Sequence, residues 1–236
     1  RQSVLAAATS GRLTEDWRKT EQTEFSGEGR LPVGWRLAKF EDICTEITVG
    51  FVGKMSDQYV DAGVPFLRSM NVRPFRFDET GLQYISAAFH QQIAKSCLRP
   101  GDLAIVRSGA PGVCCVIPDS LTTANCSDLV IARPGPDLLA GYGCIFMNSS
   151  FGAAHVASKL VGVAQAHFNV GSMKETPLPL PPVEEQTEIV RRVETLFAFA
   201  DRLEARLAQA QTAATRLTPA LLAKAFRGEL VPQDPN

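Results

Sequence analysis

Residues 183–217 read VEEQTEIVRRVETLFAFADRLEARLAQAQTAATRL. Apolar residues recur in this stretch at alternating steps of four and three, which is the heptad spacing of a coiled coil. The positions that show this spacing are Ile189, Val193, Leu196, Ala200, Leu203, Leu207, Ala210, Ala214 and Leu217. No glycine or proline occurs between Val183 and Pro219. The pattern predicts one long helix within residues 181–217, roughly 52 Å long for about 35 residues.

The heptad pattern also indicates that this helix needs a partner. Three of its apolar positions are alanine and bury little surface, so a neighbouring helix must approach closely. Only one such pattern is found in the chain, and the partner helix is therefore expected from elsewhere. Phe197 and Phe199 widen the apolar face and predict a second packed body at this end. The alternative is a long helix folded back on its own domain.

Composition places the chain among soluble globular proteins. Its 236 residues are 45% hydrophobic and 21% charged, with a formal net charge of −1, which neither favours nor excludes nucleic acid. No signal peptide or membrane-spanning run is found, so we expect a cytoplasmic protein without a membrane partner. The six cysteines lie mostly in apolar runs without a CxxC pair, which predicts buried, reduced thiols and no metal site.

The two ends of the chain resemble each other. Residues 3–13 read SVLAAATSGRL and residues 220–230 read ALLAKAFRGEL, and each predicts a short helix ended by a glycine, Gly11 or Gly228. Thr218 and Pro219 are predicted to start the second helix, within residues 218–236. We interpret the segment as a repeat marker, so that residues 1–30 are the end of one unit, with a polar linker over 14–30, before a complete second unit. Such a chain would be the C-terminal half of a longer, two-unit protein. Chance similarity of two Ala/Leu-rich helices is the alternative.

Residues 31–180 show short, mixed signals. Strands are predicted near 35–40, 65–72, 103–107, 113–117, 129–132 and 176–180, and helices near 87–97, 138–147 and 152–161. The strands at 103–107 and 113–117 are predicted to form a hairpin with a glycine-opened tip. This part of the chain is therefore expected to be an α+β domain with a mixed or antiparallel sheet.

Several motifs occur in a defined order: LPVGW at residues 31–35, GDLAIVRSGAPG at 101–112, Gln165 with Asn169, and LPLPPVEEQ at 178–186, directly before the heptad helix. Together with the repeated helix ending, they resemble the specificity subunit of type I restriction-modification systems. The resemblance covers nearly the whole chain, and it identifies the chain with the second recognition domain and its helix.

The resemblance implies a function without catalysis. In that family two target-recognition domains alternate with two long helices that pair antiparallel, and the subunit directs modification and restriction subunits to a bipartite site on double-stranded DNA. Residues 31–180 would be a target-recognition domain. The implied partners are the modification (methyltransferase) subunit, the restriction subunit, and the first recognition unit of the parent chain or a second copy of this chain. No cofactor is expected here, since S-adenosylmethionine would bind the modification subunit. The interface residues expected on the helix are Ile189, Val193, Leu196, Phe197, Phe199, Leu203, Leu207 and Leu217.

Four loops offer residue types that suit DNA. Arginine and asparagine make bidentate contacts to guanine and adenine, while lysine, hydroxyls and backbone amides near glycine take phosphates. The candidates are Thr48 and Lys54 in a glycine-bearing loop; Arg68, Ser69, Asn71, Arg73 and Arg76 in a stretch without an acid; Arg107 and Ser108 at the hairpin tip; and Gln165, Asn169 and Lys174. Ordinary solvated loops are the alternative in each case.

A second function class stays open from sequence. The chain could be a non-catalytic protein scaffold that oligomerises through its helix. The cluster between Arg68 and Arg76 favours DNA, because a scaffold does not need it.

Overall fold

A computed structural model describes residues 1–19, 31–160 and 167–229 of the chain. These residues fall into two units: residues 2–193 form the larger one, and the smaller one comprises Arg1 and the chain from Glu194 onward. Within the described part, no helix has the length and apolar character that crossing a membrane requires.

In the described part of the chain, the strands all lie in the larger unit. They are β1 (Arg36–Lys39), β2 (Cys44–Val49), β3 (Tyr59–Val60), β4 (Val64–Leu67), β5 (Val72–Arg73), β6 (Arg76–Phe77), β7 (Gln83–Ile85), β8 (Cys97–Leu98), β9 (Leu103–Val106), β10 (Cys114–Val116), β11 (Ala124–Cys126), β12 (Leu129–Pro134) and β13 (Pro177–Leu180). The helices are α1 (Gln2–Thr9), α2 (Glu15–Lys19), α3 (Phe40–Ile43), α4 (Ala87–Gln92), α5 (Ala140–Asn148), α6 (Ser150–Leu160), α7 (Val170–Lys174) and α8 (Val183–Phe226).

Two larger sheets share one apolar core. The first has the order β10-β9-β12-β2 and is antiparallel, and the second, β3-β7-β4-β11-β8, pairs β11 with β4 in parallel and is otherwise antiparallel. Every side chain of β9 is buried, as expected for an apolar strand covered on both faces. One buried cluster takes Leu67 and Leu98 from the second sheet, and Ala104 and Ile131 from the first. The predicted α+β class with a mixed sheet is confirmed.

Most local predictions in the body are also confirmed. β9 and β10 form the predicted antiparallel hairpin, and Ser86 caps α4 by accepting from the Phe89 amide at 3.1 Å. The predicted strand over 65–72, however, ends at Leu67. Asn71 is fully buried, and its side chain accepts from the Arg68 amide at 3.0 Å, which stabilises a 3-10 turn over Ser69–Asn71. A side chain that bonds the backbone locally competes with the strand ladder.

The linker predicted over residues 14–30 is wrong at its start. Residues 15–19 form α2, and Arg18 is buried, donating to Thr14 Oγ1 at 3.1 Å and to the carboxylate of Glu185. Sequence patterning misses this segment because an ion pair between residues so far apart leaves no periodic signal. Residues 20–30 of the predicted linker lie outside the described part of the chain.

The long helix continues beyond its predicted end. α8 runs for 44 residues to Phe226 with Pro219 inside it, so the separate short helix predicted from residue 218 is wrong. Strong helix formers flank the proline on both sides, and they sustain the helix although one backbone hydrogen bond is lost. The predicted glycine end is confirmed, because Gly228 has a φ of 72° and Glu229 donates to the Lys224 carbonyl at 2.9 Å. Gly11 follows α1 with a φ of 77°.

Candidate nucleic-acid interface

The predicted DNA loops meet at one edge of the first sheet. β12 runs antiparallel to β2 and β9, with Val130 opposite Val49 and Leu129 opposite Val106. The ends of β2 and β9 therefore lie beside the start of β12. The loops that follow β2 and β9 leave the sheet at this point.

The second sheet and the segment before α7 reach the same edge. Ser127, just before β12, donates its amide to the Leu67 carbonyl at 3.0 Å, so the segment that starts at Arg68 leaves from here as well. Phe168 donates to the Arg107 carbonyl at 3.0 Å. We name this region the loop edge; it comprises residues 50–58, 68–82, 107–113, 127–128 and 167–169.

A two-stranded hairpin of β5 and β6 projects two arginines from the loop edge. Arg73 and Arg76 pair opposite each other, and their side chains are 54% and 72% exposed. The turn residue Phe75 has a φ of 65° and donates its amide to the Cys114 carbonyl at 3.0 Å, which attaches the turn to β10. Since Phe77 also packs on the core, both arginines stand on an anchored support.

Other members of the predicted Arg68–Arg76 cluster are half-buried or buried in the loop. Asn71 is wrong as a base contact, because its buried side chain donates to the carbonyls of Asp78 at 2.9 Å and Thr80 at 3.2 Å. Arg68 is half-buried and donates to the Gly81 carbonyl at 2.8 Å. Ser69 is half-buried in the 3-10 turn.

Thr48 is also wrong as a DNA contact. It lies in β2 opposite Ile131, with its side chain buried, so the predicted glycine-bearing loop starts only after Val49. No strand is predicted at this position, and the first two residues of the predicted loop, Thr48 and Val49, are in fact the end of β2. Lys54 of this loop is well exposed and pairs with Asp57 at 2.9 Å, and that hydrogen bond, together with one from Ser56, lowers the pKa of Asp57.

Arg107 and Ser108 at the hairpin tip share one carboxylate. Arg107 Nη1 lies 3.1 Å from Asp128 Oδ1, and Ser108 donates its hydroxyl to Asp128 Oδ2 at 2.6 Å. Asp128 has a φ of 53°, a left-handed conformation that aspartate tolerates better than most residues. Sequence reasoning missed Asp128 and Asp78. The signal for Asp128 was a lone acid directly before a buried strand, although such a position is common in turns.

The remaining predicted contacts have mixed positions. Asn169 is exposed, and its side chain caps α7 by accepting from the Ser172 amide at 2.9 Å. Lys174, at the end of α7, is exposed. Gln165 lies outside the described residues.

The cysteines are packing residues. All six are free thiols, and four of them are buried: Cys114, Cys115, Cys126 and Cys144. Burial raises the pKa of Cys115 to about 12, so this thiol stays protonated at neutral pH. Among the described residues, no group of three or more His, Cys, Asp or Glu side chains could hold a metal ion.

The heptad positions of α8 divide at the boundary between the two units. Ile189 and Val193 are buried in the larger unit. In the smaller unit Phe197 is half-buried, with the Arg1 guanidinium 5.6 Å from its ring centre. The other predicted interface residues are exposed: Leu196, Phe199, Leu203, Leu207 and Leu217.

Comparisons with known proteins agree with these features. Residues 148–211 match the family described as the type I restriction modification DNA specificity domain. The EcoKI specificity subunit of Escherichia coli is 34% identical over 99% of this chain and 49% of its own length. The EcoBI specificity subunit of Escherichia coli is 31% identical over 99% of this chain and 50% of its own length. The chain thus spans about half the length of these curated relatives.

The fold is found in a solved structure as well. The HsdS subunit from Thermoanaerobacter tengcongensis superposes with a TM-score of 0.63 at 24% identity, covering 97% of this chain and 52% of that one. This similarity concerns the fold alone.

Proposed function

We propose that this chain, which belongs to the family of type I restriction-modification specificity subunits, is a DNA sequence-recognition module that reads one half of a bipartite target. The observation that supports this function is the loop edge. Three segments that are distant in sequence bring Lys54, Arg73 and Arg76, and Arg107 to one edge of a sheet. Arginine on a rigid support suits bidentate contact to guanine in the major groove.

The reading surface would centre on the arginine hairpin and the 107–108 tip. Arg68, Asn71 and Thr48 would support these loops from beneath, because their side chains bond the backbone or lie buried. Ser69, Asn169 and Lys174 remain candidates for phosphate contacts. In this division of labour base contacts specify and phosphate contacts position the domain.

The module would have no catalytic step of its own. Methyl transfer requires that the target base leave the duplex and enter a pocket beside the methyl donor. We place S-adenosylmethionine and that pocket on the modification subunit, with the restriction subunit as a further partner in a cytoplasmic complex. The chain alone should therefore not methylate DNA.

The exposed part of α8 would be the assembly surface. Its heptad leucines face solvent, and a second helix of the same kind would cover them. The mate would be the first recognition unit of a parent chain or a second copy of this chain, with the modification subunit docking along the pair.

The repeated ends support the same arrangement. In the first copy Leu5 and Ala8 are buried in the larger unit, whereas the equivalent Leu222 and Ala225 of the second copy are exposed. The C-terminal repeated segment, residues 220–230, would dock on another recognition domain. It would do so in the way that the N-terminal repeated segment, residues 3–13, packs in the larger unit of this chain.

Binding to duplex DNA at a series of salt concentrations tests the function. The chain should shift a mixed-sequence duplex, and the logarithm of its affinity should fall linearly with that of the salt concentration, by about 0.9 for each phosphate contact. The Arg73→Gln, Arg76→Gln double variant should bind more weakly, whereas Lys224→Gln on α8 provides a matched control. If the wild-type chain folds and assembles but does not bind DNA, the scaffold function would be favoured instead.

A further inference from the structure

Backbone strain in the described residues is concentrated at the loop edge. Phe75 and Asp128 are the two non-glycine residues with a left-handed backbone in residues 1–19, 31–160 and 167–229. Such conformations cost energy and tend to persist where function requires them. Phe75 lies between Arg73 and Arg76, and Asp128 itself pairs with Arg107. Each strained position therefore lies in a group where an aspartate pairs with arginine: Asp78 with Arg73 and Arg76, and Asp128 with Arg107.

Asp78 is the carboxylate of the first group. Its Oδ2 lies 3.3 Å from Arg73 Nε and 3.8 Å from an Arg76 terminal nitrogen, and its Oδ1 accepts from the Thr80 amide at 3.1 Å. Like charges directly opposite each other on paired strands destabilise a hairpin, and Asp78 offsets this repulsion. Hydrogen bonds from Thr80 and from Arg73, together with the positive charge of Arg76, lower the pKa of Asp78, so the carboxylate is charged at neutral pH.

Asp128 is the carboxylate of the second group. It binds Arg107 through one oxygen at 3.1 Å and Ser108 through the other at 2.6 Å. The left-handed backbone turns Asp128 between the end of β11 and the start of β12, beside the hairpin tip. Arg107 and Ser108 are therefore oriented before any ligand arrives.

These carboxylates distinguish between the two kinds of acceptor on DNA. A phosphate that approaches Arg73, Arg76 or Arg107 also approaches a negative charge, which repels it. The guanine edge offers the N7 and O6 acceptors without a net charge. An arginine held by an adjacent aspartate thus loses much of its attraction for phosphate and keeps its ability to donate to a base.

We propose that Asp78 and Asp128 are specificity-determining residues, which orient Arg73, Arg76 and Arg107 toward base edges and oppose their use on phosphates. The inference rests on the proposed DNA-reading function. Without this role, the negative charges of Asp78 and Asp128 would only weaken the binding of DNA.

The test compares Asp78→Asn, Asp128→Asn and the double variant with the wild-type chain. Asparagine keeps an acceptor for the Thr80 amide and tolerates the left-handed backbone at residue 128. Asp137→Asn is the matched control, because Asp137 also pairs with an arginine, Arg36, at 2.8 Å, but follows the opposite end of β12. Asp78→Ser, whose hydroxyl can accept from Thr80, is a second variant in case asparagine disturbs the loop, and thermal melting checks folding.

The probes are a random-sequence 30-base-pair duplex and a pool of duplexes enriched by the wild-type chain from a randomised library. Fluorescence anisotropy at several KCl concentrations gives both affinities. The double variant should bind the random duplex roughly tenfold more tightly, with a steeper salt dependence, and its preference for the enriched pool should fall. The Asp137→Asn control should show neither change.

Folded variants that match the Asp137→Asn control would overturn the inference while leaving the DNA-reading function in place. Folded variants that bind both probes more weakly would do the same, since the acids would then act only by holding the loops. A wild-type chain and variants that all fail to bind either probe would overturn both proposals.

Discussion

The two parts of α8 share one heptad pattern but differ in what covers them. In the first part, before Glu194, Ile189 has no exposed surface, and Glu185 and Gln186 are buried as well. In the second part Leu207 is 59% exposed, and Leu203 and Leu217 are also exposed. An apolar stripe therefore predicts that a surface will be covered, but it does not say whether the same chain or a partner covers it.

Polar residues secure the first part as much as apolar ones do. Glu185 accepts from Thr14 at 2.6 Å, from Trp35 at 2.8 Å and from Arg18. Gln186 accepts from the Leu139 amide at 2.8 Å and donates to the Asp137 carbonyl at 2.8 Å. The motif PPVEEQ is thus a joint at which the N-terminal segment, the body and the helix meet.

The largest effect is expected from breaking this joint. Glu185→Ala would leave Arg18 buried without its carboxylate and should cost about 3–5 kcal/mol of the free energy of unfolding. Urea denaturation of the chain measures it. The neighbouring Glu184→Ala is the control, since Glu184 is exposed and its loss should change stability by less than about 0.5 kcal/mol. Equal effects of the two variants would mean that the buried contacts of Glu185 do not contribute to the free energy of unfolding.

A smaller difference should separate two apolar positions of the same stripe. Ile189→Ala removes a fully buried side chain and should destabilise the chain by about 2–4 kcal/mol. Leu207→Ala should stay within about 0.5 kcal/mol in dilute protein, where no partner covers that position. Urea melts at low protein concentration provide the comparison. If Leu207→Ala destabilised the chain as much as Ile189→Ala, this chain itself would cover the second part.

The second part should respond only when a partner is present. Leu203→Ala is expected to weaken helix pairing about tenfold, since losing part of a buried leucine costs on the order of 1–2 kcal/mol. Sedimentation equilibrium of the chain, alone and with the modification subunit, measures this change. Arg206→Ala, on an exposed position of the same turn, is the control. If the Leu203→Ala variant assembled as tightly as the wild-type chain, the helix-pairing interface would lie elsewhere.

The smallest effect concerns pH. Hydrogen bonds from Arg191 and Arg192 lower the pKa of Glu188 to about 2, below its usual value of 4.5, and Arg192 also binds Asp16 at 2.6 Å. A lowered folded-state pKa gives stability that is present above pH 4.5 and lost as the pH falls toward 2. Glu188→Gln should thus be less stable at neutral pH, by at most about 1 kcal/mol, with the difference vanishing near pH 2. Urea melts across this range test it, and a difference independent of pH would exclude the ion pairs as its cause.

The sequence by itself determined the elements whose signals are local and periodic. The heptad spacing predicted α8, two apolar runs on either side of a glycine-rich tip predicted the hairpin of β9 and β10, and Gly11 and Gly228 predicted two helix ends. These features depend on residues within a few positions of one another. The same locality explains the error at Pro219, where a start signal was outweighed by strong helix formers on both sides.

Only the tertiary structure decided which candidate residues face solvent and which charges they meet. Arg73 and Asn71 were equally good candidates for DNA contacts in the sequence. In the structure Arg73 projects from a hairpin, whereas Asn71 is buried beneath it. The sequence did not predict that Asp78 and Asp128 would pair with the candidate arginines, nor that Arg18 would contact Glu185. Burial and ion pairing depend on which residues the sheet register brings together. That register is set by the packing of the whole core, and not by the sequence near any single residue.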